Sequence, residues 1–218
     1  MIAHHPNDEL LLACAAGNLA TGAAIVVAAH LEACAQCRAS VHLFEGVGGA
    51  MLESIEPAVM APEALARTLA RIDKQQTPAS RDAPPACTRP SLPPGLTWPR
   101  GLQQCAVSRW HWLGPGVRWS RVKVPHDGDA NVFLLRIGPG KSLPRHTHSG
   151  VELTQVLCGS FDDGRALFAA GDFDAADDAI HHQPVLQAGG ECICLASVKG
   201  HLVFDGAIAR VIGSLVGI

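Results

Sequence analysis

The sequence predicts an α+β chain of two domains, an all-α N-terminal domain followed by an all-β sandwich or barrel. Three observations carry this. Residues 1–75 are rich in alanine and leucine at helical spacing. Residues 76–97 are dense in proline. From Trp98 onward, short apolar runs alternate with glycine or aspartate turns. At 218 residues the chain has room for two such domains.

Asn7, Asp8 and Glu9 after Pro6 mark the first helix start, where an oxygen-bearing cap and acidic residues favour the positive helix end. Gly17 and Asn18 predict a turn, and a second helix is expected over 21–37. A third covers about 41–55. A fourth follows Pro62, with Leu65, Leu69 and Ile72 on one stripe. That stripe serves either the domain's own core or a partner. Pro78, Pro84, Pro85, Pro90, Pro93 and Pro94 define an extended linker over 76–97. The runs "NVFLLRI", "LTQVL", "CICLAS" and "HLVFDG" then supply the strands over 98–218. No internal repeat is present. The C-terminal run "IARVIGSLVGI" reads as a core helix or an interface, so oligomeric state is not legible.

Charge excludes some functions. The net charge is -3, with no basic stripe, which argues against direct nucleic-acid binding. Residues 1–85 hold five basic and nine acidic residues, a balance suited to a partner with a basic surface. Residues 10–29 carry no charge, but Gly17 and Asn18 interrupt them and the flank "HHPNDE" lacks lysine and arginine. That is neither a membrane span nor an export signal. A cytoplasmic location follows as the expectation, where thiols stay reduced, so the eight cysteines are not read as a disulfide framework.

Two clusters carry chemistry. In "HLEACAQC", His30, Cys34 and Cys37 share one face if the segment is helical. One imidazole and two thiolates suit zinc, with the fourth ligand drawn from His4 or His5. The alternatives are buried core cysteines and a thioredoxin-like redox pair, the latter without a βαβ context. Cys14 reads as core, and Cys87 and Cys105 carry no spacing signal. Further on, His146 and His148 lie two apart, pointing to one side of a strand, with Glu152 four beyond and "HHQP" some thirty residues later. His182 is favoured over its neighbour His181. Three imidazoles and one carboxylate suit zinc, iron, manganese or nickel, against the alternative of a polar solvent face. Cys192 and Cys194 share a strand face and are either redox-active near that metal or core; Cys158 has the same two readings.

At this point the chain resembles known families. "HTHSGVE", Gly159 and "GDFDAADDAIHHQP" are similar to the two metal motifs of the cupin fold, a double-stranded β-helix or jelly-roll barrel. The second motif departs from the family's glycine-containing turn, reading "ADDAIH". The order of parts, with "HH" near the start and "HLEACAQC", resembles the ChrR-type zinc anti-sigma factors. The resemblance covers nearly the whole chain. It implies an N-terminal domain that clamps an extracytoplasmic-function-type sigma factor and a cupin-like domain needed for release in response to singlet oxygen or related oxidants. It implies His5, His30, Cys34 and Cys37 as ligands of a first zinc, and His146, His148, Glu152 and His182 as ligands of a second metal. Leu65, Leu69 and Ile72 are the candidate sigma contact, with packing in the helical domain's own core as the equal alternative. The rival is an enzyme, a metal-dependent cupin dioxygenase with an appended helical domain, with Arg145 and Arg165 as substrate anchors or surface charges.

Overall fold

The computed structural model describes residues 1–74, 89–186 and 189–205. Cys87 and much of the expected linker, within residues 75–88, and the terminal run 206–218 lie outside the described residues.

Helix α1 spans Asp8–Ala15, and the Asn7 side chain caps it by accepting from the Leu10 N–H. The chain leaves it through Gly17 at φ 68°, a left-handed position that glycine adopts without strain. Helix α2 spans Thr21–Ala33, α3 Ala35–Glu53 and α4 Ala64–Lys74. The expected continuous helix over 21–37 is not formed. Cys34 is extended, with φ -104° and ψ 108°; it ends α2 and caps α3, its sulfur accepting from the Cys37 N–H at 3.4 Å. A third helix expected from about residue 41 therefore begins at Ala35. Periodicity cannot see this break, because Cys34 replaces one helical hydrogen bond with a side-chain cap.

Twelve strands follow among the described residues: β1 Ala106–Val107, β2 His111–Gly114, β3 Val117–Val124, β4 Asp127–Ile137, β5 His146–His148, β6 Glu152–Cys158, β7 Ser160–Asp162, β8 Leu167–Ala169, β9 Phe173–Ala176, β10 Val185–Leu186, β11 Cys192–Val198 and β12 Leu202–Phe204. The main sheet runs β1-β3-β4-β11-β6-β9, with β2 on β3; two smaller sheets, β10-β7-β8 and β12-β5, lie opposite. Val156, Cys192 and Cys194 from the main sheet meet Phe161, Phe168 and Leu186 from the small ones, filling the barrel interior.

The other face of the main sheet is not left to solvent. Val132, Leu134, Leu153, Phe173, Ile193 and Leu195 form one core with Ile25, Val26 and Val27 of α2. Strand β11 is accordingly buried along its whole length, which explains why "CICLASV" is apolar without alternation. Gly22 permits the close approach: a Cβ there would stand 2.4 Å from Ser197 Oγ and 3.1 Å from Val132 Cγ2. By contrast α4 buries none of its residues. No helix among the described residues is long and apolar enough to cross a membrane.

Candidate metal centres

The first centre forms where the α2–α3 junction meets the N-terminal segment. His5, His30, Cys34 and Cys37 place one donor atom each within 4.8 Å of one another. His30 Nε2 lies 3.3 Å from Cys37 Sγ, and His5 Nδ1 lies 3.4 Å from both sulfurs. A tetrahedral ion with zinc's bond lengths gives nitrogen–sulfur separations of about 3.6 Å, so the cluster needs little rearrangement. Of His4 and His5, only His5 joins the cluster. His4 turns away and packs its ring on Phe168 at 4.6 Å. Burial holds the His30 imidazole below its usual pKa, against the opposing hydrogen bond to Gln155. Burial, then the adjacent Cys34 thiol, pushes Cys37 up to about 12. Such a thiol ionises readily only when a cation takes the proton's place.

The second centre lies inside the β-domain. His146 and His148 point inward from β5, Glu152 opens β6, and His182 forms an isolated bridge with His146. Their four donor atoms also lie within 4.8 Å, and all four residues are buried. His146 Nε2 is 3.1 Å from His182 Nε2, and His148 Nε2 is 2.6 Å from Glu152 Oε2. The remaining ring nitrogens face outward to acceptors: His146 Nδ1 to Pro144 O at 2.8 Å, His148 Nδ1 to Asp177 O at 3.3 Å, His182 Nδ1 to Asp163 Oδ2 at 3.2 Å. Each imidazole thus has an acceptor for Nδ1–H on its outer side, so with an ion bound it could offer its Nε2 lone pair to the centre. Burial alone lowers a histidine, as it does His146. For His148 the hydrogen bond and charge of Glu152 outweigh burial and raise it. Burial works to raise Glu152, but His148 and the other imidazoles hold it low. The pairing is that of a carboxylate ready to face positive charge.

Other expectations resolve in the same frame. His181 is half exposed, beside Asp205, and stays outside the centre. Arg145 is largely exposed; Arg165 is also exposed, while its guanidinium bonds Asp163 and, at 2.7 Å, Asp174. Asp163, Asp174 and His182 form a third cluster of possible ligands, but Arg165 already supplies its positive charge. Cys192 and Cys194 are buried free thiols with sulfurs 3.6 Å apart in the barrel core, as the core reading expects. Cys14 packs against the helical core and Cys105 is buried, as does befit unligated thiols. Leu65, Leu69 and Ile72 are 69%, 51% and 58% exposed, so the stripe is not core among the described residues. Sequence reasoning missed Gln155, Asp163, Asp172 and Asp174. The three aspartates signal only acidic character beside a motif, which surface loops share, and Gln155 is a neutral amide inside a strand with no signal at all.

Comparison with known proteins agrees with this architecture. The family model described as the ChrR cupin-like domain matches residues 99–201. The anti-sigma-E factor ChrR of Cereibacter sphaeroides is 38% identical over 211 residues, covering 97% of this chain and 96% of that protein. The crystal structure of Rhodobacter sphaeroides SigE in complex with the anti-sigma ChrR includes a chain that superposes with a TM-score of 0.72 at 35% identity, covering 91% of this chain and 100% of that one. With identity of this level sustained from the helical part through the barrel, the chain belongs to the family of the anti-sigma factor ChrR.

Proposed function

We propose that this chain is a zinc-dependent anti-sigma factor. Residues 1–75 sequester an extracytoplasmic-function-type sigma factor, 76–97 act as a linker, and the cupin-like domain over 98–218 triggers release under oxidative stress such as singlet oxygen. The observation that carries the reading is end-to-end similarity to a chain solved in complex with SigE. His5, His30, Cys34 and Cys37 would hold zinc; the ion supplies a four-coordinate crosslink between the N-terminal segment and the α2–α3 junction. His146, His148, Glu152 and His182 would hold a second divalent ion, zinc or alternatively iron, manganese or nickel.

Binding and response would divide between the two parts. The exposed stripe of Leu65, Leu69 and Ile72 offers an apolar helix face for a groove or surface on the sigma factor. The acidic balance of residues 1–85 suits that factor's basic DNA-binding surface. The proximity of Cys192 and Cys194 to each other supports a thiol contribution to the response. The protein would act in the cytoplasm, without touching nucleic acid itself and without catalytic turnover.

The test is transcription by polymerase with the host's extracytoplasmic-function-type sigma factors, with and without the purified full-length chain. Stoichiometric silencing of one factor, relieved on singlet-oxygen exposure, is the expected result. A folded, metal-loaded chain that silences none, and that consumes oxygen with a substrate, returns the protein to the dioxygenase reading.

A further inference from the structure

We propose that the cupin-like domain completes the N-terminal metal site. Gln155 and Asp172 act as positioning residues for its two histidines, and strands β6 and β9 thereby couple the two metal centres. This rests on the reading that both clusters hold metal.

Two of the four N-terminal ligands are oriented by the β-domain rather than by the helices. His30 turns Nε2 toward Cys37 and Nδ1 toward Gln155, whose Oε1 lies 2.9 Å away. The Gln155 amide is itself fixed, because its Nε2 donates to Val156 O at 3.0 Å. Its oxygen is therefore the atom facing His30, so the imidazole carries its proton on Nδ1 and leaves Nε2 free for a metal. Gln155 is 2% exposed, so water does not compete for that bond.

His5 is held through the backbone of the two residues before it. Asp172 Oδ1 accepts from the Ala3 N–H at 2.6 Å and the His4 N–H at 3.1 Å, and the Phe173 N–H donates to His4 O at 3.0 Å. Ile2 fills the space beside Gly171, where a Cβ would stand 2.8 Å from its Cγ1. The segment leading to His5 is thus tied to the start of β9.

The same two strands reach the inner centre, β6 through Glu152 and β9 through Asp174. Gln155 lies three residues beyond Glu152 on β6, an odd separation that sends the two side chains to opposite faces. Asp172 lies two residues before Asp174, which holds Arg165; Arg165 holds Asp163, and Asp163 accepts from His182. Strands β6 and β9 are paired, Glu152 with Ala176 and Gln155 with Phe173. A change that moves Glu152 is felt on β6, which also seats His30, and one that moves His182 reaches β9 through Asp163, Arg165 and Asp174. Coupling of this kind is reciprocal for binding.

Cobalt(II), titrated into the full-length chain, distinguishes the centres, since only the N-terminal set contains thiolates and gives a sulfur-to-cobalt absorption band. No such band in the wild type would sink the metal reading itself. Given the band, Gln155→Leu is expected to weaken cobalt binding at this site about 10- to 100-fold, and Gln155→Glu, which keeps the acceptor, to restore it. Wild-type affinity in Gln155→Leu, or equal loss in both variants, overturns the positioning role. His146→Ala, which alters only the inner centre, is expected to weaken the band's affinity as well; no change overturns the coupling. Should Gln155→Leu fail to fold, nitrogen-15 spectra of His30 in the zinc-loaded wild type decide. A protected proton on Nδ1 supports the assignment, and a freely exchanging one overturns it.

Discussion

Replacing Gly22 by leucine tests whether α2 lies on the barrel. The Cβ alone would stand 2.4 Å from Ser197 Oγ, 3.1 Å from Val132 Cγ2 and 3.4 Å from Ser197 Cβ. Overfilling a packed interface costs about 1–3 kcal/mol. Removing a helical glycine returns at most about 1 kcal/mol, and less near a helix start such as this one. The net loss is about 1–2 kcal/mol, a factor of about 5–30 in the closed-to-open ratio. Amide hydrogen exchange reads this directly: α2 should exchange faster by that factor in Gly22→Leu. Gly46→Ala on α3, where a Cβ meets nothing within 4 Å, should leave α2 exchange unchanged. If Gly22→Leu exchanges like wild type, the packing of α2 on β4 and β11 is refuted.

Three further outcomes are expected. Cys34→Ser with Cys37→Ser should abolish zinc binding at the N-terminal centre and with it retention of the sigma factor, read by metal analysis of the co-purified complex. Arg165→Met leaves Asp163 and Asp174 facing each other with no cation. Breaking such a pair costs about 3–5 kcal/mol when fully buried, and the figure falls toward the lower end because the Arg165 side chain is 34% exposed; a thermal unfolding midpoint equal to wild type would contradict this. Asp172→Asn should be less stable than wild type, with a gap that depends on pH. Burial works to raise the Asp172 pKa, but the Ala169, Ala3 and His4 amides outweigh it and hold it below the usual value. A depressed folded-state pKa stabilises above the unfolded value of about 4 and is lost as pH falls through the folded one. The gap should be full at neutral pH and close on acidification below about pH 4, measured by denaturant titrations of both proteins.

Much of this molecule was determined by local sequence. Asn7, Asp8 and Glu9 start α1 through a cap and a dipole that need no tertiary partner. The two-residue spacing of His146 and His148 puts both on one side of any strand that carries them. His30, Cys34 and Cys37 of the first cluster and His146, His148 and Glu152 of the second were therefore legible as residue types at fixed intervals. What the tertiary structure decided depends on which surfaces meet. The break at Cys34 arises from a thiol cap, not from a change in apolar period. His5 rather than His4 faces the thiols because Asp172 and Phe173 fix the backbone beside it. The burial of β11 on both faces follows from α2 lying across it, which no pattern within β11 can specify. Gln155 sits in an ordinary strand sequence; only the docking of α2 turns its amide into the partner of His30. Periodicity encodes the direction of a side chain, while the identity of the group it meets is set by packing between segments more than a hundred residues apart.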